Sequence, residues 1–534
     1  MRHLQRPATL ALGAFLVALA IQLPLHAGWL VDPAGRTIAN AFHGVHIWST
    51  DVISQAFWSL EWPSPTSEAG FPEERAPAFM GWAYHLVLTP LTPLVSVTAL
   101  INLAAWVGPA LGAAAFVVLA WQLFEEPSPL GVFVGAVLYA LSPTELAMAL
   151  SGQVEKAQSY VLPLCLAVVL WASRGPLWRV AVVLPIWLLG ACTSPYLAMF
   201  AALSLPWLLW LRRAEWKRFV AASALVPVAL LLARAYLDPV GAGELDPIFT
   251  PAYNPDGFPP LFGHPMPIAD LDTLLWGAPE QQVDSVLLHN PYLGAVWLVG
   301  ALVLGGKRRL WIYPLALGVL VAMGPVLAFA GEPVYDIPLP AVVFQWLDLS
   351  LAHGGHYYRG LVVAHLALAG MLAVSRSRWL WLVLVLGAAD AIRSVASYGL
   401  PWPTMELPVA EWRAWERYET EGAVLHMPLS GPKLLPNNPI RLAGHEVHGR
   451  PVRDLPQMNS RPQDPDLDAF VECIERYEGR CEGDEVQRLR GAGFAIVALD
   501  TPDDATKRKL LPALERVLGE PTGGSSELLW WGLQ

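Results

Sequence analysis

The side chains most able to do chemistry lie in four short stretches of an otherwise apolar chain. HIWSTDVISQAFW (46–58) sets one carboxylate, Asp51, among aromatics. There it could act as general base toward an acceptor hydroxyl, or as ligand to a divalent cation such as Mg or Mn. Ser49-Thr50-Asp51 also reads as a helix cap or a solvated loop acid. Further on, Glu73 and Glu74 follow a turn-forming proline, where they could join Asp51 on a metal, touch a sugar, or simply form a charged turn. LSPTELAMALSGQVEKAQSY (141–160) carries Glu145, Gln153, Glu155 and Lys156 at the rim of an apolar stretch. Ionisable groups at such depth are costly and usually line a polar cavity. Lys156 suits a phosphate group, or snorkels to the interface. In LAHGGHYYRG (351–360), His353 and His356 share a helical face and Arg359 follows. Spacing marks no third metal ligand, so the histidines are expected to hydrogen-bond and Arg359 to clamp a phosphate. His445 and His448 in GHEVHG repeat that spacing and read as a polar loop.

The elements that must position these residues are membrane helices. The chain has 534 residues, 54% hydrophobic and only 15% charged, which excludes a water-soluble globule for most of it. Charge is concentrated after residue 400, so two solvents are implied, lipid and then water. With a span needing about 20 mostly apolar residues, eleven transmembrane helices are predicted near 8–25, 98–123, 130–149, 158–173, 177–192, 195–211, 218–236, 287–304, 309–330, 359–375 and 379–396. The first is read as a retained anchor, because Leu25-His26-Ala27 lacks the small residue a signal-peptide cut needs.

Basic residues set the orientation. Arg2/Arg6, Arg174/Arg179, Arg212/Arg213/Lys217/Arg218, Lys307/Arg308/Arg309 and Arg376/Arg378 fall in alternate short loops, which are therefore cytoplasmic. The amino terminus is then inside, and the loops 26–97, 237–286 and 331–358 lie outside, as does the tail 401–534. The expected fold is an α-helical polytopic membrane domain (1–400) followed by a small α/β soluble domain (401–534). In the tail, helices are predicted near 408–420, 465–479, 484–491 and 503–518, and strands at 422–429, 494–500 and 527–533. Outside a reducing cytosol Cys473 and Cys481 could pair, two free thiols being the alternative, whereas Cys165 and Cys192 are apolar fillers.

Several function classes drop out. A net charge of -11 does not fit a nucleic-acid binder. No GxxxxGK[ST] or GxGxxG phosphate loop appears, and no HExxH or GxSxG. Any transfer chemistry must use an activated donor supplied from the membrane.

The order of features resembles a bacterial multi-pass membrane protein of the GT-C glycosyltransferase superfamily, in a branch with a soluble carboxy-terminal tail. The resemblance is carried by WSTDVISQAFW (48–58), ALSPTELAMALSGQ (140–153), SPYLAMF (194–200) and HYYRGLVVAHLALAGMLA (356–373), and in the tail by GAVLHMPL (422–429), LRGAGFAIVALD (489–500) and LERVLGEP (514–521). It implies a transferase that takes a sugar from a polyprenyl-phosphate donor and passes it to a glycan, lipid or protein acceptor at the outer face of the cytoplasmic membrane. Asp51 is the position that matches the family's first-loop base. The paired acids of many members are not plain, since Glu73 and Glu74 come more than twenty residues later. On this reading Lys156, Arg359, Gln153, Glu155, His353 and His356 would hold the donor's phosphate and sugar. A transporter or flippase for a lipid-linked glycan, and a non-catalytic envelope assembly protein, are the alternatives.

Overall fold

The computed structural model describes residues 2–39, 41–61, 82–241, 271–276, 280–281, 288–324, 326–329, 332–339, 341, 357–396, 398–427, 441, 443–453, 465–475, 484–500, 504–526 and 528–533. α1 (Arg2–Leu30) leads into a first long loop that holds β1 (Arg36–Ile38), α2 (Ala41–Trp58) and α3 (Trp82–Leu88). α4 (Val97–Leu123) starts at Ser96, whose hydroxyl accepts from the Ala99 amide. α5 (Pro129–Ala140) and α6 (Pro143–Leu150) are one apolar run broken before Pro143. The proline has no amide hydrogen and forces Ser142 out of the helical region. α7 (Val161–Ser173), α8 (Trp178–Thr193), α9 (Pro195–Leu203), α10 (Leu205–Leu211), α11 (Trp216–Ser223) and α12 (Leu225–Gly241) follow. Then come α13 (Leu271–Trp276), the short pair β2 (Glu280–Gln281) and β3 (Leu288–His289), α14 (Ala295–Leu304) and α15 (Arg308–Ala322). A hairpin of β4 (Val326–Phe329) and β5 (Glu332–Pro338) precedes α16 (Leu361–Ala373) and α17 (Leu380–Ala396).

Each predicted span overlaps helix among the described residues, but 130–149, 195–211 and 218–236 are each divided between two helices and two further spans are shorter than expected. The run 287–304 becomes helical only at Ala295, and the run 309–330 stops at Ala322. Gly324 takes a φ of 76°, and the chain turns into the hairpin there instead of continuing as helix. Among the described residues four stretches are long and apolar enough to cross a membrane, Pro7–Leu30, Val97–Leu123, Pro129–Leu150 and Arg213–Ala233, with six shorter apolar helices beside them. α4 and α5 sit at the centre, packed by α1 and α7 on one side and by α16 on the other.

The tail is a mixed sheet. β6 (Thr404–Glu406) and α18 (Val409–Glu416) come first, then β7 (Ala423–Met427), α19 (His445–His448), β8 (Val452–Arg453), α20 (Pro465–Glu475), α21 (Glu485–Gly491), β9 (Phe494–Leu499), α22 (Asp504–Leu518), β10 (Gly523–Gly524) and β11 (Leu529–Gly532). The strand order is β10-β11-β9-β7-β8, with β7 parallel to β8 and β9, and β11 antiparallel to β9. The period of two divides the central strands cleanly. Leu425, Met427, Val497 and Leu499 pack under α20, α21 and α22. Val424, Ile496, Ala498 and Trp530 face the other way, onto Trp412, Trp415 and the helix ends that include Leu25, Ile47, Val97 and Ile101. Each large apolar side chain so buried contributes about 1.5–3 kcal/mol. Cys473 is disulfide-bonded, and Cys481 lies outside the described residues. Cys165 and Cys192 are buried in the helical core.

Three polar contacts seat the tail. β1 pairs antiparallel with β6, so the first loop and the tail's first strand form one ribbon. Glu446 accepts from the Val97 amide at 2.7 Å, the Thr98 amide at 3.1 Å and the Thr98 hydroxyl at 2.9 Å, which places a carboxylate on the amino-terminal dipole of α4. His445 Nδ1 lies 2.9 Å from Asp51 Oδ2 on α2. The GHEVH turn, read from sequence as a polar loop, is a docking element. At the far end of α4, Arg212 donates to the carbonyls of Gln122 and Leu123, Arg174 donates to the Gln122 side chain, and Arg376 pairs with Glu126. α4 has 27 residues, about 40 Å of helix. The basic loops therefore collect at one end of the bundle and the tail at the other.

Replacing Glu446 by alanine strips three donors of their acceptor and should destabilise the docked tail by about 1–3 kcal/mol. Thermal unfolding of the detergent-solubilised protein should show a lower melting temperature for Glu446→Ala, with Glu446→Gln in between.

Candidate functional site

The candidate site is built on the turn between α6 and α7. Gly152, at φ 70°, ends α6 in a left-handed cap: the Gly152 amide donates to Ala149 and the Gln153 amide to Met148. Residues 151–159 then run as irregular chain that is buried throughout. Non-helical backbone is tolerated beside a bilayer only where protein or a cavity surrounds it. Gly108 and Gly112 on α4 make room for it, since a Cβ at either would collide with Gln158 or Ser159.

Four nominated residues meet here. Arg359, in the 3-10 turn Tyr357–Gly360, donates from Nη2 to Gln153 Oε1 at 2.7 Å, across 206 residues of sequence. Lys156 Nζ lies 3.0 Å from Glu155 Oε1. The Tyr196 ring, at the start of α9, has the Arg359 guanidinium 4.5 Å and the Lys156 ammonium 5.9 Å from its centroid. Two cations thus share one aromatic ring. Arg359 is 2% exposed, and its Nε and Nη1 find no partner among the described residues. A buried guanidinium with donors to spare is set up to receive an anion.

The electrostatics agree with that reading. Burial pushes the Lys156 ammonium down to about 8, the Arg359 charge pushes the same way, and Glu155 opposes both. Burial alone would raise Glu155, yet Lys156 and His46 override it and hold the carboxylate well below its ordinary range.

Sequence reasoning passed over three participants. His46 Nε2 lies 2.9 Å from Glu155 Oε2, Tyr84 OH lies 2.6 Å from His46 Nδ1, and Tyr196 supplies the shared ring. The signal for His46 was present: His43 and His46 stand three apart in an apolar run, the same spacing that drew notice at 353/356 and 445/448. Tyr84 and Tyr196 had no such local mark.

Asp51 sits on α2 but faces the tail, where its Oδ2 meets His445 Nδ1 and the Gln55 amide at 3.1 Å. Among the described residues no ion pair joins Asp51 to Lys156 or Arg359. Glu73, Glu74, His353 and His356 lie outside the described residues. Glu145 is fully buried on α6, with neither carboxyl oxygen hydrogen-bonded among the described residues. Among the described residues no group of three or more His, Cys, Asp or Glu is placed to hold a Mg or Mn ion.

No family model matches the chain, and no curated protein matches it. Among solved structures, the arabinofuranosyltransferase AftD from Mycobacteria superposes on 98% of this chain with a TM-score of 0.58 at 15% identity. The chain has a GT-C-like fold. It spans 40% of the length of that AftD chain. The oligosaccharyltransferase AglB from Archaeoglobus fulgidus, solved with an inhibitory peptide and a dolichol-phosphate, covers 92% of this chain and 69% of its own at 11% identity and a TM-score of 0.48. ArnT from Cupriavidus metallidurans, solved with undecaprenyl phosphate, covers 99% and 98% at 12% identity and 0.43. The GT-C-like region here places the Lys156–Arg359 cluster and the tail at the same end of the bundle, since α2 touches both.

The Lys156 value fixes a pH dependence. Below pH 8 the ammonium is charged, and above it the charge is lost, so affinity for inorganic pyrophosphate should fall roughly tenfold or more between pH 7 and pH 9.5. Lys156→Arg, which stays charged over that range, should flatten the titration in an equilibrium binding measurement.

Proposed function

We propose that this protein is a membrane glycosyltransferase that takes a sugar from a polyprenyl-phosphate-linked donor. The acceptor is a glycan, lipid or protein at the outer face of the cytoplasmic membrane. The observation that carries this reading is the pair of buried cations over Tyr196, balanced by the carboxylate of Glu155, with Arg359 Nε and Nη1 unpaired among the described residues. A lipid-linked phosphate lies at the membrane interface and needs such a cradle. The GT-C-like fold and the name of the AftD neighbour point the same way. The clustering of basic loops at the end of α4 away from the tail supports an inward-facing amino terminus and an outward-facing tail.

In this mechanism Lys156 and Arg359 bind the donor phosphate and stabilise the charge that builds on it as the bond to the sugar breaks. Gln153 holds one edge of Arg359, and Glu155 holds Lys156. Asp51 takes the proton of the acceptor hydroxyl as its oxygen attacks the anomeric carbon, and polyprenyl phosphate leaves. His353 and His356 border Arg359 in sequence and are proposed to contact the donor, and Glu73 and Glu74 the sugar.

A second reading has its own observation. The Asp51 carboxylate is already held by His445 and Gln55, which favours a protein that binds a lipid-linked glycan without cleaving it, as a flippase or assembly factor would.

Both are tested with protein in lipid nanodiscs and a polyprenyl-phosphoryl sugar, measuring donor binding and release of polyprenyl phosphate separately. Arg359→Ala should weaken donor binding by about 2–5 kcal/mol, and Asp51→Ala should abolish release while leaving binding intact. Binding that needs Arg359 with no release by the wild-type protein supports the second reading. Binding indifferent to both Arg359 and Lys156 removes both.

A further inference from the structure

Each Glu155 oxygen lies within ion-pair distance of a basic nitrogen. Oε1 engages Lys156 Nζ at 3.0 Å and Oε2 engages His46 Nε2 at 2.9 Å. His46 is in turn met at Nδ1 by the Tyr84 hydroxyl at 2.6 Å. Both ring nitrogens of His46 thus face a neighbouring side chain, Nε2 the Glu155 carboxylate and Nδ1 the Tyr84 hydroxyl, and neither is open to a substrate proton. His46 is therefore a poor general base. All three side chains are buried, at 6% exposure for His46, 4% for Glu155 and 3% for Tyr84. A lysine that only snorkelled to the interface would not need a counter-ion aimed by two further buried groups. The other ionisable neighbours of His46 are His43 on its own helix and His85 on α3, whose ring centroid is 5.5 Å away. His85 Nδ1 is taken up by the Thr50 hydroxyl, which pins α3 to α2.

We propose that Tyr84, His46 and Glu155 form a positioning relay that aims the Lys156 ammonium at the donor phosphate, so that the α2–α3 pair sets how tightly the phosphate is held. The inference rests on Lys156 and Arg359 meeting a phosphate, as argued above. His46 and Tyr84 are positioning residues: they act through Glu155 and touch neither sugar nor acceptor. Lys156 is held on one side by its carboxylate and drawn on the other toward Tyr196 and Arg359, and the relay decides where between them it rests. Without His46 the carboxylate is free to rotate away, and Lys156 loses its nearest counter-charge.

The test measures binding of a short-chain polyprenyl phosphate to the full-length protein in nanodiscs, across pH 6 to pH 10. His46→Ala should weaken binding about tenfold, Tyr84→Phe less, and His46→Gln should restore most of the loss, because its amide can still donate to Glu155. In His46→Ala the alkaline midpoint of binding should also move to lower pH, and this movement should vanish when Lys156→Arg is added. A purely structural role would lower the folded yield without moving the midpoint and without rescue by glutamine. If His46→Ala fails to fold, His46→Gln and Tyr84→Phe carry the same measurement. Folded His46 and Tyr84 variants that bind with wild-type affinity and midpoint overturn the relay, while Arg359→Ala still losing binding leaves the donor pocket standing. If Arg359→Ala and Lys156→Ala also bind normally, the phosphate pocket falls and the relay with it.

Discussion

Two like charges brought into a protein interior repel, and everything at the candidate site follows from the way Lys156 and Arg359 are made to share one. At an effective dielectric near 20, unit charges 5–10 Å apart cost about 2–3 kcal/mol, well above the 0–1 kcal/mol that a surface ion pair returns. The fold offsets that cost with three devices: the face of Tyr196, the carbonyl oxygen of the Gln153 side chain, and the Glu155 carboxylate. None of them uses up the Nε and Nη1 donors of Arg359. The balance stays tilted toward positive, and an anion completes it. The irregular stretch 151–160, the cap at Gly152 and the two small residues on α4 exist in the structure at the places this arrangement requires.

Much of the helical architecture was legible because the membrane imposes a length rule that composition alone can satisfy. The run read as 98–123 is the helix Val97–Leu123, and the short hydrophilic links between runs are loops. Where the rule failed, a backbone cause is visible: Gly324 turns the chain at the end of α15 inside a stretch whose composition still reads as apolar. The tail strands were found through their apolar runs, although both faces of the central strands are buried and the polar alternation that usually marks a sheet is missing.

The site was half legible. Glu155 and Lys156 stood out because a charged pair between two apolar runs is costly, and Arg359 because it opens another. Their meeting was expected only as a shared side of the membrane. His46, Tyr84 and Tyr196 are tertiary partners separated by tens to hundreds of residues, and only His46, three after His43, carries a local mark. The docking turn was misread for a different reason. Glu446 is satisfied largely by the backbone amides of Val97 and Thr98, groups that every sequence possesses and that therefore leave no compositional trace.

α2 is held between two bodies of protein. Val45, Trp48 and Val52 pack with Val452 of the tail, while His46 and Thr50 reach the helical region. The contact that caps α4 joins residues 349 positions apart. During synthesis the first loop must therefore leave the ribosome long before the strand, turn and carboxylate that complete it have been made. A nascent chain of this design carries an unfinished first loop, apolar flank exposed, until the tail has been made. Loss of the tail would consequently damage the first loop and α4 as severely as the tail itself.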